Sequence, residues 1–183
     1  MRIHNAIIFA TKAHEGQVRK GTNIPYIVHP MEVMQILTEN GCDETVILAG
    51  ILHDTLEDTP TTPDDIRNQF GQAVLELVQS ESEDKSKTWQ ERKQNTINHL
   101  ADASKEIQLV CCADKLSNIK SIYADKQALG DAVFDRFNAP KELVRWYYQG
   151  VASALTQIDG YKMKHELVDF VNAVFCEDDG SSH

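Results

Sequence analysis

An apolar run over residues 46–52 ends abruptly in His53 and Asp54, and a second acidic pair, Glu57 and Asp58, follows within four residues. The run predicts a buried helix, so these polar side chains arrive at the edge of a hydrophobic core. Removing an imidazole and three carboxylates from water costs free energy unless a bound partner compensates for it. A divalent cation would compensate for all of them together, so the segment indicates a metal site.

Two further residues are candidates to complete this site. His53 and Asp54 are neighbours, so on a helix they diverge by about 100° and reach one ion only near a helix end. His29 is the best nitrogen candidate. Pro30 disfavours helical backbone at His29, which predicts that His29 lies just before a helix beginning at that proline or one residue later. Asp114 is the best oxygen candidate, because it also ends an apolar run.

Each candidate also has an ordinary structural interpretation. A lone histidine before a proline is more often a capping or packing residue, and Asp114 could pair with Lys115 or Lys120. However, Asp114, Asn118 and Ser121 follow the i, i+4, i+7 spacing of one helix face. A histidine, then a His-Asp pair, then a distant aspartate form an order that favours one shared site over three unrelated roles.

Five segments in this order carry a family pattern: HEGQVRKG at 14–21, PYIVHP at 25–30, HDTLEDT at 53–59, EDK at 83–85 and ADKLSN at 113–118. They resemble the HD-domain metal-dependent phosphohydrolases, and among these the RelA/SpoT-type alarmone hydrolases. The resemblance runs from about residue 6 to about residue 122. The length, with no room for a synthetase domain, resembles the small stand-alone hydrolases of this type.

The resemblance implies one Mn²⁺ ion held by His29, His53, Asp54 and Asp114. The residue types agree with it, because two imidazoles and two carboxylates suit a first-row divalent ion with open positions for water. Mg²⁺ would prefer oxygen ligands alone, and a structural Zn²⁺ would more often recruit cysteines. Such an ion can activate water and polarise a phosphoryl oxygen.

Glu57 and Asp58 lie four residues after His53 and Asp54, so a continued helical turn would place them over the same site. Most acidic pairs cap a helix or form surface ion pairs. Beside a metal, one of the two could instead orient the attacking water or accept its proton. The resemblance implies this catalytic role for both.

Arg19 and Lys20 form a basic pair of a kind that is usually only solvated. A guanidinium can bind phosphate and stack on a base, and the resemblance implies that both residues contact the nucleotide. It also implies that Asn118 and Ser121 bind the nucleoside. Lys85, in a polar loop that reads SEDK where the commoner family sequence reads TDDK, would reach the pyrophosphate.

The periodicity predicts a single all-α domain of about nine helices, the helical HD-domain fold, over residues 1–176, followed by a disordered polar tail at 177–183. Predicted start signals include Asp43 as a cap and Thr62 before a proline, and Gly71 is a predicted break. The Trp146-Tyr147-Tyr148 cluster is typical of a core or an interface. Predicted helices cover 2–14, 31–40, 72–80, 88–101, 104–127, 140–158 and 162–175.

The charge and composition of the chain favour some classes of protein over others. A net charge of −10 argues against a protein that coats nucleic acid, but not against a phosphorylated small molecule. The four cysteines show no Cys-x-x-Cys spacing, which fits a reducing compartment. No export signal or apolar run of about 20 residues is present, so we expect a cytoplasmic protein that does not bind membranes. The oligomeric state is not predictable from these features.

The residue chemistry alone predicts metal-assisted hydrolysis of a phosphate ester or anhydride. The resemblance implies a more specific reaction, in which guanosine 3′-diphosphate 5′-di- or triphosphate is hydrolysed at the 3′ position to pyrophosphate and GDP or GTP. One alternative is an HD-superfamily nucleotidase or phosphodiesterase acting on another (3′-)phosphorylated nucleotide. A second is a non-catalytic nucleotide sensor, which we would expect to have lost a metal ligand or the acidic pair.

Overall fold

The computed structural model describes residues 1–175, which are helical apart from loops and one isolated β-bridge between Val18 and Pro25. Two 3₁₀ helices lie at Gly130–Arg136 and Thr156–Ile158. The α-helices are α1 Arg2–Ala13, α2 Val28–Glu39, α3 Glu44–Leu52, α4 Thr55–Asp58, α5 Pro63–Phe70, α6 Gln72–Ser80, α7 Trp89–Asp102, α8 Lys105–Leu129, α9 Lys141–Ala154 and α10 Lys162–Phe175.

The predicted all-α fold is confirmed for this part of the chain. Nine of its α-helices have eight or more residues, and α4 is a single additional turn. The predicted helix over 140–158 is divided after Ala154, where the chain continues as a short 3₁₀ helix. The 3₁₀ helix Gly130–Arg136 has no counterpart in the prediction. The predicted disordered tail at 177–183 lies outside the described residues.

The predicted position of His29 is wrong. The helix does not begin at Pro30, because α2 already begins at Val28 and includes His29 in its first turn. The N–H groups of a first turn have no acceptor within their helix, so a proline there removes no hydrogen bond. The His29 amide donates instead to the carbonyl of Tyr26 at 3.0 Å. His29 is therefore held by helical backbone on both sides.

Helix α3 is the centre of the fold, and every residue over 46–52 is buried. It packs against α1, α2, α6 and α8. Gly50 permits the close approach of α2, because a Cβ at that position would collide with the side chain of Leu37. Helix α8, of 25 residues, packs against α2, α3 and α10. The close packing of α2, α3 and α8 brings their polar side chains to one point.

The predicted caps are confirmed. The Asp43 carboxylate accepts a hydrogen bond from the Val46 amide at 3.1 Å, and Thr62 and Asp65 form a reciprocal capping box at the start of α5. Gly71 separates α5 from α6 with a φ of 94°, a backbone conformation that favours glycine. Within residues 1–175, none of the helices combines the length and the apolar character that a membrane span requires.

Candidate metal centre and anion-binding cavity

Two histidines and an aspartate from three helices meet in the interior. His29 lies in the first turn of α2, His53 follows the last residue of α3, and Asp114 lies in the middle of α8. The two Nε2 atoms are 3.2 Å apart, and Asp114 Oδ1 lies 3.1 Å from that of His29 and 3.7 Å from that of His53. All three side chains are buried.

Asp54 approaches the same two imidazoles from the chain turn after α3. Its Oδ2 lies 2.9 Å from His53 Nε2 and 3.6 Å from His29 Nε2. Tyr26 donates its hydroxyl to the same oxygen at 2.5 Å. Ligand atoms about 2.1 Å from one ion are about 3.0 Å apart when adjacent in an octahedron and about 3.4 Å apart in a tetrahedron. The observed separations fit a single small cation.

Hydrogen bonds on the far side of each ring decide which nitrogen faces the centre. His53 Nδ1 donates to the carbonyl of Gly50 at 2.8 Å. His29 Nδ1 donates to Ser117 Oγ at 2.8 Å, because the Ser117 hydroxyl itself donates to Glu32 Oε2 at 2.7 Å. In the neutral rings both Nε2 atoms therefore present lone pairs to each other and to carboxylates. Lone pairs and carboxylate oxygens this close together repel one another unless a metal ion or a proton lies between them.

The directions of the pKa changes also indicate that positive charge stabilises the centre. Burial opposes charge on His53, but Asp54 and Asp114 outweigh it and raise the His53 pKa well above its usual value. Burial lowers the pKa of His29. Burial also opposes ionisation of Asp54, yet His53 holds the Asp54 pKa well below its usual range. Without a metal, the centre therefore retains a proton where the ion would bind.

The acidic pair predicted for catalysis lies on α4, which begins directly after Asp54. Burial raises the pKa of both Glu57 and Asp58, and the charge of Asp54 contributes to both increases. Lys85 Nζ lies 3.5 Å from Glu57 Oε1 and 3.7 Å from Asp58 Oδ1. The two carboxylates are thus close enough to the centre for its charge to change their pKa values. The 80s loop, residues 81–88 between α6 and α7, holds Lys85 against them.

His14 supports this acidic helix through Gln17, in the loop that follows α1. Its Nδ1 lies 2.8 Å from Gln17 Oε1, and Gln17 Nε2 donates to the carbonyl of Asp58 at 2.8 Å. The His14 ring is buried and lies against Tyr26, with ring centroids 4.8 Å apart. Its contacts connect the loop after α1 to the end of α4.

A cavity of about 320 Å³ adjoins the centre and is lined by five cationic side chains. Among the described residues that line it, none is acidic, although the whole chain carries a net charge of −10. Aromatic rings form much of the remaining wall. The cations are Arg19, Lys20, Lys93, Lys115 and Arg136, and the rings are Tyr26, Trp89, Phe137, Tyr147 and Tyr148.

Side chains of α8 connect the cavity to the centre. Asn118 Nδ2 donates to Asp114 Oδ1 at 2.6 Å, while Asn118 Oδ1 accepts from Arg19 Nη2 at 3.0 Å. Lys115 lines the cavity and pairs with Asp114. The ion pair considered for Asp114 in the sequence therefore exists, and it coexists with the contact between Asp114 and His29.

The predicted substrate contacts are only partly grouped. Arg19, Lys20, Asn118 and Ser121 all line the cavity. Lys85 does not line it, and its side chain is more than half exposed beside the acidic pair. The predicted metal ligands and the first four contacts thus form one continuous site.

Several residues that line the cavity are not among the predicted substrate contacts. Tyr147 and Tyr148 are buried, as expected for a core cluster, but they also form a wall of the cavity. Trp89 and Lys93 have the i, i+4 spacing of one face of α7, a signal that was available. Lys93 is fixed by an ion pair with Glu83 of the 80s loop, at 2.6 Å.

The sequence of this chain is similar to those of known proteins. The HD-domain family profile matches residues 6–137. A Xenopus tropicalis protein, guanosine-3′,5′-bis(diphosphate) 3′-pyrophosphohydrolase MESH1, is 40% identical over 123 residues, covering 66% of this chain and 69% of that protein. A guanosine-3′,5′-bis(diphosphate) 3′-pyrophosphohydrolase from Aquifex aeolicus is 32% identical over 171 residues, covering 92% of this chain but 23% of its own length.

Solved structures agree as well. The structure of a metazoan ortholog of SpoT that hydrolyses ppGpp matches with a TM-score of 0.75 and 28% identity, covering 92% of this chain and 93% of that one. A Listeria monocytogenes EGD-e protein matches with a TM-score of 0.75 and 35% identity, covering 80% of this chain and 98% of that one.

The chain belongs to the HD-domain family, as the order of its motifs predicts. Within that family its relatives are pyrophosphohydrolases of the MESH1 and SpoT type, and together with the buried His-Asp centre they make it a metal-dependent hydrolase.

Proposed function

We propose that this protein hydrolyses guanosine 3′,5′-bis(diphosphate) to GDP and pyrophosphate, and the corresponding 5′-triphosphate to GTP and pyrophosphate. The observation that carries the proposal is the cavity of five cations and five aromatic rings beside the His-Asp centre. Lys93, Lys115 and Arg136 are paired with Glu83, Asp114 and Asp125. Within residues 1–175, Arg19 and Lys20 form no ion pair, and no acidic side chain lines the cavity, so the arrangement favours an anionic ligand. The activity named for its relatives supports the choice of substrate.

The chemistry of the cavity suits a nucleotide with several phosphates. Arginine binds phosphate oxygens through two parallel hydrogen bonds, and aromatic faces stack on a base. The volume of about 320 Å³ is at the lower end of the range for small-molecule sites. The ligand in this proposal is a small guanine nucleotide, with no nucleic acid or membrane partner, and the compartment is the cytoplasm.

In this proposal His29, His53, Asp54 and Asp114 hold one divalent ion, and the mixed nitrogen and oxygen ligands favour Mn²⁺. When bound, the ion supplies Lewis acidity toward water and toward the scissile phosphoryl group. Tyr26, with its hydroxyl 2.5 Å from Asp54 Oδ2, orients that carboxylate. Burial raises the Tyr26 pKa far above its usual value, so Tyr26 remains a proton donor.

Glu57 and Asp58 act as the catalytic pair, of which one orients the attacking water or accepts its proton. Hydrolysis joins a water oxygen to the phosphorus attached to the ribose 3′ oxygen and breaks the bond between that phosphorus and the 3′ oxygen. The proton that the acidic pair takes from the water balances the proton that the departing 3′ oxygen gains as it becomes a hydroxyl. The attacking water must lose a proton, and a carboxylate whose pKa is raised is a better acceptor near neutral pH. Lys85 would exchange its contact with the acids for one with the pyrophosphate.

Arg19, Lys20, Asn118 and Ser121 bind the nucleotide. Asn118 connects the two parts of the site, because it contacts Arg19 in the cavity and Asp114 in the centre. Lys85 stays in the proposal as a contact for the departing pyrophosphate at the acidic edge of the site.

The direct test is product analysis with metal-stripped protein. We expect guanosine 3′,5′-bis(diphosphate) to be converted to GDP and pyrophosphate only after Mn²⁺ is added. Chromatography would identify the nucleotide, and a coupled assay would measure pyrophosphate. The Asp54→Ala variant is the matched negative control.

Two other outcomes would replace the proposal. Turnover of other 3′-phosphorylated nucleotides, with none of this substrate, would assign the chain to a nucleotidase or phosphodiesterase. Mn²⁺-loaded, folded protein that binds the nucleotide without turnover would be a sensor.

A further inference from the structure

We propose that Ser117 and Glu32 are positioning residues that hold His29 in the ring orientation and tautomer needed to bind the metal. The inference rests on the proposed metal centre but not on the identity of the substrate. It assigns a role to a pair of hydrogen bonds that lies outside the set of metal ligands.

The contacts form a directed chain. His29 Nδ1 lies 2.8 Å from Ser117 Oγ, and Ser117 Oγ lies 2.7 Å from Glu32 Oε2. A carboxylate oxygen accepts, so the serine hydroxyl must donate to Glu32 and can then only accept from the histidine. The proton of His29 is thereby directed to Nδ1, and Nε2 is left with its lone pair facing His53 and Asp114.

Ser117 is buried, and both hydrogen bonds of its hydroxyl belong to the chain between His29 and Glu32. Its side chain is 2% exposed, and its partners are 85 and 88 residues away in the sequence. The Glu32 side chain reaches it from the exposed side of α2, in a groove of about 400 Å³ between α2 and α8. A buried hydroxyl with both hydrogen-bonding capacities used rigidifies its neighbours.

Loss of this chain predicts a specific defect. Without the serine oxygen, the Nδ1 proton of His29 has no acceptor in the interior, which favours moving the proton to Nε2 or rotating the ring. Either change removes one metal-binding nitrogen. Loss of an outer hydrogen bond of this kind typically weakens metal affinity by about 10- to 100-fold.

The test measures Mn²⁺ binding directly, by electron paramagnetic resonance of free Mn²⁺ and by chelator competition, with no substrate present. We expect Ser117→Ala to weaken binding by about 10- to 100-fold. Glu32→Ala should weaken it less, and Glu32→Gln least, because an amide oxygen can still accept from the serine. Glu39→Gln, which removes an exposed carboxylate from the same helix, is the matched control and should bind like the wild type.

The double variant Ser117→Ala/Glu32→Ala distinguishes positioning from general destabilisation. If Glu32 acts through Ser117, the double variant should bind Mn²⁺ no more weakly than Ser117→Ala alone. Additive losses, or unchanged affinity in folded Ser117→Ala, would overturn the inference. Circular dichroism would establish folding. Wild-type protein that binds no Mn²⁺ would overturn both the metal centre and this inference, whereas Mn²⁺ binding without nucleotide turnover would overturn the proposed substrate alone.

Discussion

Glu81 is a carboxylate that the proposed chemistry does not use, and its position makes a quantitative prediction. It follows the last residue of α6 and is only partly exposed. Burial raises its pKa to about 7, with the charges of Asp114 and Asp54 contributing and those of Lys115 and His53 opposing. In the metal-free protein, Glu81 is therefore half protonated near neutral pH.

The sign of its effect on stability follows from this increase. The folded state binds a proton more tightly than the unfolded state, so stability falls as the pH rises from about 4.5 to about 7 and stays reduced above that range. The difference between its usual pKa of 4.5 and about 7, at about 1.4 kcal/mol per pH unit, corresponds to about 3.5 kcal/mol. Partial contact with solvent reduces the expected value to about 2 kcal/mol.

Glu81→Gln removes the ionisation and keeps the shape. We expect the variant to match the wild type at pH 4 and to exceed it by about 2 kcal/mol at pH 8, measured by urea denaturation with chelator present. Glu76→Gln, which changes an exposed glutamate of the same helix, is the control and should show no pH-dependent difference. Adding Mn²⁺ should reduce the gain, because a nearby cation favours the ionised carboxylate. Equal stability of Glu81→Gln and wild type at both pH values would refute this reasoning.

Three further predictions concern the active site. Asp54→Ala should lose Mn²⁺ binding and turnover together, whereas Glu57→Ala should bind Mn²⁺ normally and lose turnover; normal turnover by Glu57→Ala would contradict the role of the acidic pair. Arg19→Ala should raise KM by about tenfold with a smaller loss in kcat, as steady-state kinetics would show, and a large kcat loss with unchanged KM would contradict it. Mn²⁺ affinity should rise by up to about tenfold per pH unit near neutrality, because the ion displaces the proton that the carboxylates hold on His53. Competition titrations that show no pH dependence of the affinity between pH 6 and 8 would contradict that displacement.

The sequence was most informative where one short segment carried both the fold and the chemistry. The apolar run of α3 predicts a buried helix, and the polar residues after it predict a site at its end. The order of His29, His53, Asp54 and Asp114 then predicts the grouping that the structure contains. The error at His29 was local, since a proline in a first helical turn removes no hydrogen bond.

Residues whose roles depend on tertiary packing were not predictable. Arg136 reaches the cavity from a 3₁₀ helix that has no periodic pattern, and Ser117 acts only because α2 lies against α8. Tyr26 belongs to a recognisable motif, but its hydrogen bond to Asp54 spans 28 residues. Such contacts are set by the approach of separate elements, which residue spacing along one element does not encode.

The central claim is that one divalent ion at the His-Asp centre is required for hydrolysis, and a stoichiometric titration tests it most directly. Mn²⁺ would be added to concentrated metal-stripped protein while bound Mn²⁺ and pyrophosphate release from guanosine 3′,5′-bis(diphosphate) are measured on the same samples. We expect both to rise together and to saturate at about one ion per chain. Turnover at full rate before any Mn²⁺ is bound, or saturation of binding without turnover, would contradict the claim.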